Sequence, residues 1–356
     1  MREQVLRARL RCWPRPARTG WARACHRCLG LARPGKARHC LLRHRRATLV
    51  ARGSRQEKRM ASTASPAGTA VGFIGLGDQG LPMAVAIAEA GFALHVWARR
   101  AASTEALRDT PATVHRSPAE LAAACDIVAV CVSTDEDLLR LLTNGTDGSD
   151  GLLAGARPGT IVVNHGTGTP QSSRHLAEVC AAAGAVYVDA PVSGGRPGAE
   201  ARTLTVFAGG PDEALKRCRP VLAAFATNVV PMGPVGAGQT AKLFNNVLLI
   251  LNQATIGEVV KLASAAGADP DRLVEALRLG SGTSRALTLL GEMVNPDTVQ
   301  HLSAVEDLDV DLFAAAMDEA GLDAGAVVAR AHEGARGLPA LVGSLPRTAA
   351  GPRAAS

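Results

Sequence analysis

Aromatic side chains are scarce, at 3% of 356 residues, with one tyrosine, three tryptophans and six phenylalanines. The chain is nonetheless 47% hydrophobic, so alanine, valine and leucine must build its cores. Long apolar runs are missing too. None reaches the roughly 18–20 uninterrupted residues of a membrane span, because 247–251 is flanked by amides, so no spanning segment is expected. Residues 1–59 stand apart in charge, holding 18 Lys and Arg against 2 acids. The remainder carries 21 basic and 30 acidic residues, so the body is acidic and the basic pI belongs to the leader. At this length two domains with substantial cores are expected.

Residues 1–68 are taken as a leader outside the folded body. Its arginine richness and lack of acids suit a mitochondrial-type transit segment. The same charge would suit a nucleic-acid-binding arm. The third reading, which the abrupt change in composition favours, is that translation begins at Met60. Nucleic acid is therefore not an expected partner unless the leader is native. Cytoplasm is the expected location, with the mitochondrial matrix the alternative if the leader is a transit peptide. Cys25, His26, Cys28, His39 and Cys40 match no common zinc spacing, and no metal is expected. Cys125, Cys131, Cys180 and Cys218 lie in apolar contexts, as reduced core cysteines do, which points to a reducing compartment.

From residue 70 short β-branched runs alternate with alanine-rich amphipathic stretches. "AVGFIG", "FALHVW", "DIVAVCVS", "TIVVNHG", "AVYVDAPVSGG" and "TLTVFAGG" read as strands, and "SPAELAAAC" opens with a capping box. This rhythm predicts an α/β fold: a Rossmann-type doubly wound, mainly parallel sheet over 69–236. Beyond Gly236 the periodicity is helical, giving an all-helical C-terminal domain over 237–340 and a disordered tail over 341–356.

Gly75-Leu76-Gly77-Asp78-Gln79-Gly80 is a G-x-G-x-x-G between a predicted strand and a predicted helix, the context that makes it a dinucleotide signal. The first glycine permits the tight turn, the second lets a pyrophosphate approach the backbone, and the third lets helix and strand pack closely. The second strand ends in "VWARR", with Arg99 and Arg100 where an NAD-binding unit would carry an acid for the ribose hydroxyl. Guanidinium groups suit a 2′-phosphate, so NADP is the expected cofactor and NAD the alternative.

In "DAPVSGG" the amides of Gly194 and Gly195 and the Ser193 hydroxyl are free to bind an anion such as a substrate carboxylate. In "GQTAKLFNNVLLILNQATIG" a helical projection puts Lys242 and Asn246 one turn apart on a narrow polar stripe, with Gln253 near the same line. Asn245 falls toward its edge. A solvated surface lysine competes with an acid/base lysine on that pattern alone.

"GFIGLGDQG", "DAPVSGG" and "GQTAKLFNN", in that order, resemble the β-hydroxyacid dehydrogenases, the group of 3-hydroxyisobutyrate dehydrogenase and tartronate semialdehyde reductase, related to 6-phosphogluconate dehydrogenase. The resemblance implies that Lys242 is the catalytic acid/base and that Ser193, Gly194, Gly195 and Asn246 hold a small carboxylic-acid substrate. Thr167 would touch the nicotinamide end of the cofactor. The long helix from about Gly238 would pack between subunits of a homodimer or homotetramer. The implied activity is reversible oxidation of a small 3-hydroxy acid. Alternatives are a reductase of another aldehyde acid or an imine, and an NADP-binding interaction protein without turnover. The sequence departs from the pattern at Gln79, at Gly166, at Arg202 where a glycine is common, and at Glu306, which stands for a lysine expected near the cofactor.

Overall fold

The computed structural model describes residues 68–144, 150–290 and 293–344. The expectations for the leader therefore lie outside the described residues, apart from Gly68, as do those for the tail beyond Ser344.

The N-terminal half alternates strand and helix. In chain order it comprises β1 (Ala70–Ile74), α1 (Gly80–Glu89), β2 (Ala93–Trp97), a 3-10 turn (Ala101–Leu107), β3 (Thr113–Val114), α2 (Pro118–Ala124), β4 (Ile127–Val130) and α3 (Asp135–Thr143). It continues with α4 (Leu152–Gly155), β5 (Ile161–Asn164), α5 (Pro170–Ala182), β6 (Val186–Asp189), β7 (Val192–Ser193), α6 (Gly195–Glu200), β8 (Leu204–Gly209), α7 (Asp212–Leu222) and β9 (Ala226–Gly233). The sheet order is β3-β2-β1-β4-β5-β6-β8-β7, with β9 added on β8. All pairings from β3 through β6 are parallel, whereas β8 meets β6 and β7 antiparallel. Every residue of β4 and β5 is buried, as expected for strands covered by helices on both faces.

Three local expectations change. "AVYVDAPVSGG" is two strands, because Pro191 stands between the ladders of β6 and β7. Ser117 caps α2 by accepting from Glu120 N at 3.1 Å, but Glu120 returns the bond to Arg116 N at 2.9 Å. Arg202 adopts φ 58°, the left-handed conformation that a glycine takes without strain.

The helical half consists of α8 (Ala237–Ala265), α9 (Pro270–Leu279), α10 (Arg285–Leu289), α11 (Val299–Glu319) and α12 (Gly325–Ser344). The last helix thus runs four residues into the segment expected to be a disordered tail. By length and composition α8 could cross a membrane, contrary to the sequence expectation, because the flanking amides do not offset its aliphatic run. In the structure it packs against β8, β9, α11 and α12. Leu243, Val247 and Ile250 of α8 form one core with Val310, Phe313 and Met317 of α11 and Ala331 and Ala335 of α12. Burying each of the larger side chains contributes about 1.5–3 kcal/mol. That apolar seam fixes the register of α11 along α8, and with it the polar groups the two helices bring together.

The two halves join at Asp189. This fully buried carboxylate, at the end of β6, accepts from Gly236 N at 2.8 Å and Gln239 N at 2.9 Å, so it caps the first turn of α8. Burial pushes its pKa up, and those N–H groups oppose the shift. Gln239 in turn accepts from Gly168 N at 3.0 Å and donates to Gly166 O at 2.8 Å, clamping the loop after β5.

Candidate active site

The glycine turn lies between β1 and α1. Gly75 has φ 99°, and a Cβ there would strike the Cys131 carbonyl; a Cβ on Gly80 would strike the Gly75 carbonyl. These two positions are closed by the protein's own backbone. Gly77 differs, because nothing of the protein lies within 4 Å of where its Cβ would stand. That open face is the one a pyrophosphate needs in order to approach the turn, so the residues fit a dinucleotide. Asp78 points away toward Arg196 at 3.5 Å, and Gln79 occupies the cap position of α1 without a side-chain capping bond.

Beside the turn is a cleft of about 250 Å³. Gly75, Leu76 and Gly77 line it together with Trp97, Arg99, Arg100 and Ser103, so the sequence-predicted arginines do share a cavity with the glycine turn. Two residues that sequence reasoning missed, Asp137 and Arg140 of α3, also line it. Their signal in the sequence is only an acidic first turn and a basic last turn of one helix. Cys131 also lines the cleft, and burial pushes its thiol up to about 11, so it is protonated at neutral pH.

The second cluster forms where β7 faces α8. Lys242 Nζ donates to the Val192 carbonyl at 2.7 Å, placing the ammonium beside Ser193. Half-buried Gly194 and Gly195 follow with φ 132° and 62°, opening α6 with a tight turn. A Cβ on Gly195 would meet the Met293 thioether, a cover over the turn that no sequence motif announced. It is Asn245, not Asn246, that reaches Ser193, its Nδ2 lying 3.4 Å from Oγ. Asn245 also donates to Asn246 Oδ1 at 3.0 Å.

Asn246 faces the other way, donating from Nδ2 to Asp309 Oδ2 on α11 at 2.7 Å. Burial lowers the Lys242 pKa from its ordinary value, and the Asp309 charge partly opposes that shift. Burial raises Asp309 in turn, opposed by Lys242 and by the Asn246 bond. Glu306 is not beside Lys242. It lies one turn earlier on α11, in the seam next to Gln253, and burial pushes it up to about 7. Its Oε2 and both amide atoms of Gln253 lack a hydrogen-bond partner of good geometry, although the Gln253 dipole still opposes the rise. The acidic group of α11 whose charge reaches Lys242 is Asp309. Thr167 is half-buried in the loop that Gln239 clamps. Among the described residues no three His, Cys, Asp or Glu side chains gather as a metal site.

A parallel nucleotide sheet with an open glycine turn, followed by a helical domain, defines a nicotinamide-dinucleotide-dependent oxidoreductase acting on CH–OH groups. Residues 70–233 match the model of the NAD-binding domain of 6-phosphogluconate dehydrogenase, and 236–336 match the NAD-binding domain of NADP-dependent 3-hydroxyisobutyrate dehydrogenase. The chain is 36% identical to the NAD-dependent L-serine dehydrogenase of Pseudomonas aeruginosa over 226 residues, 64% of this chain and 73% of that one. It is 35% identical to a probable mitochondrial 3-hydroxyisobutyrate dehydrogenase-like protein of Arabidopsis thaliana, over 64% of this chain and 70% of that one. A solved Mycobacterium tuberculosis 3-hydroxyisobutyrate dehydrogenase with L-serine superposes with a TM-score of 0.67 at 27% identity, covering 78% of this chain and 98% of that one. The chain belongs to the β-hydroxyacid dehydrogenase family, and is an NAD(P)-dependent hydroxyacid dehydrogenase of the 3-hydroxyisobutyrate dehydrogenase type.

Proposed function

We propose that the chain is an NADP-dependent oxidoreductase that interconverts a small 3-hydroxy acid and the corresponding aldehyde acid, with Lys242 moving the hydroxyl proton. The observation that carries this reading is the 2.7 Å bond from Lys242 Nζ to the Val192 carbonyl, which holds a half-buried amine beside the Ser193–Gly195 turn. A bound nicotinamide supplies the hydride acceptor in oxidation and the donor in reduction. The glycine turn would take its pyrophosphate at Gly77, with Gly75 and Gly80 shaping the turn, and Arg99 and Arg100 its 2′-phosphate. Thr167 would stand near the nicotinamide end, on the loop that Gln239 fixes.

The substrate carboxylate fits the Gly194 and Gly195 N–H groups and the Ser193 hydroxyl, which Asn245 orients. With that end fixed, the hydroxyl-bearing carbon is brought under Lys242 and the loss of freedom is paid on binding. In oxidation neutral Lys242 accepts the hydroxyl proton; in reduction its ammonium protonates the developing alkoxide. An ordinary lysine is a poor base at neutral pH, and burial here moves the group in the useful direction. Asn246, bonded to Asp309, holds in place the carboxylate whose charge acts on Lys242.

The exposed face of α8 supports a subunit contact with a second copy. Phe244 is 50% exposed, Leu248 60% and Leu262 71%, a larger apolar display than one surface helix ordinarily leaves to water. Sedimentation of the chain with and without Leu248→Glu tests that contact: the wild type should sediment as an oligomer and the variant should shift toward the monomer. We place the enzyme in the cytoplasm, or in the mitochondrial matrix if the basic leader is a transit peptide.

A screen of NADPH and NADH oxidation against small aldehyde acids and keto acids tests the function. Turnover with an aldehyde acid and a preference for NADPH are expected. Equal rates with NADH would overturn the cofactor assignment, and silence with every acid would overturn the activity.

A further inference from the structure

Arg140 lines the same cleft as Arg99 and Arg100, although it comes from α3 and belongs to no nucleotide motif. It is not a spare surface charge, because it contributes to the same cavity as the glycine turn. Its present partners are neighbours on its own helix: Glu136 at 2.9 Å, four residues back, and Asp137 at 3.7 Å. Such exposed intrahelical pairs are weak, worth at most about a fivefold preference in an equilibrium constant. A phosphate monoester carries close to two charges and accepts the planar guanidinium fork in two parallel bonds, a much stronger and more directional partner. Arg140 can therefore leave Glu136 without significant loss when such a group enters the cleft.

Asp137 works against this. It lines the same cleft, and its carboxylate would repel a phosphate while accepting well from a ribose hydroxyl. The cleft thus holds three guanidinium groups and one carboxylate, and discrimination depends on which of them faces the 2′ position.

We propose that Arg140 is a specificity-determining residue that grips the 2′-phosphate of the cofactor from α3, closing a clamp whose other side is Arg99 and Arg100, and that Asp137 weakens that grip. The assignment rests on the NADP reading given above, and it makes the residue after a charged helix turn, not only the end of β2, part of cofactor choice.

The experiment uses the full chain and two probes, 2′,5′-ADP and 5′-AMP, with binding measured by calorimetry. The wild type should bind 2′,5′-ADP at least about tenfold more tightly. Arg140→Ala should erase most of that ratio, Arg140→Lys should keep part of it, and Asp137→Asn should increase it. A merely structural Arg140 would weaken both probes together and leave the ratio alone, which overturns the proposal. An unchanged wild-type ratio in Arg140→Ala overturns it too, while leaving NADP preference intact. A wild type that binds both probes equally fails the NADP reading itself. Should Arg140→Ala not fold, the Arg140→Lys and Asp137→Asn ratios decide: no movement in either overturns the assignment.

Discussion

Asn246 Nδ2 donates a 2.7 Å hydrogen bond to Asp309 Oδ2, joining α8 to α11 across 63 positions of sequence. One turn back on α8, Lys242 feels the same carboxylate. Helix α8 is thus tied on one side to β7 and on the other to an acid that opposes the loss of the lysine's proton.

Asp309→Asn keeps a polar partner for Asn246 and removes the charge. Lys242 should then fall further below its ordinary pKa. Oxidation, which needs the neutral amine, should begin its rise at lower pH than in the wild type. Reduction, which needs the ammonium, should decline at lower pH. Profiles of kcat/KM against pH in both directions check this; an unmoved limb would show that Asp309 does not act on Lys242.

Ser193→Ala should raise KM for the acid by about two- to tenfold, the usual worth of one hydrogen bond, with a smaller effect on kcat. Asn245→Ala should act in the same direction, and the double variant should lose less than the product of the two, because Asn245 acts through Ser193. Independent, multiplying losses would contradict that coupling.

Two buried groups should give stability opposite pH slopes. Glu306 has its folded pKa raised to about 7 from 4.5, so the folded state retains its proton while the unfolded chain has lost it. Its contribution is full below about pH 4.5 and is lost as pH rises toward 7, by at most about 3 kcal/mol. His165 stacks on Phe73 and meets Phe225 edge to face, donates from Nδ1 to the Ala190 carbonyl at 2.8 Å, and is lowered by burial to about 4 from 6.5. Here stability is full above about pH 6.5 and is lost as pH falls toward 4, by a similar upper amount of about 3 kcal/mol. The slopes oppose one another between these limits. Urea unfolding from pH 4.5 to 7.5 should therefore show Glu306→Gln gaining stability with rising pH relative to wild type, and His165→Asn losing it. Parallel curves in either variant would contradict the corresponding assignment.

Gln239→Ala leaves Gly168 N and Gly166 O without their side-chain partner and should cost about 1–3 kcal/mol. It should also weaken nucleotide binding, because the loop carrying Thr167 loses its clamp. Denaturant unfolding and NADPH titration check the two effects separately.

The parts legible in the sequence were those encoded locally. The glycine turn, the arginines at the end of β2, the Pro-Val-Ser-Gly-Gly turn and the polar stripe of α8 each fall within a few residues, and periodicity or turn chemistry places them. Near Gly236, where the strand pattern of the sequence gives way to helical periodicity, the chain takes φ 91° to open α8. Asp309, Met293, Asp137 and Arg140 were not legible. Each reaches its place through packing between distant elements, such as the Leu243–Phe313 core that sets α11 against α8. Glu306 drew attention by resemblance, yet the same helical register turns it toward Gln253 and turns Asp309 toward the lysine. Asn245 and Asn246 differ by one position and hence by about 100° around the helix, enough to send one to Ser193 and the other to α11.

The central claim is that Lys242 carries the proton, and single-turnover reduction of an aldehyde acid by Lys242→Met, with enzyme in excess over NADPH, tests it most directly. The account predicts NADPH binding close to wild type and a rate of the chemical step lower by roughly 10²–10⁴-fold, the usual worth of a positioned acid/base group. A wild-type single-turnover rate in Lys242→Met would contradict it.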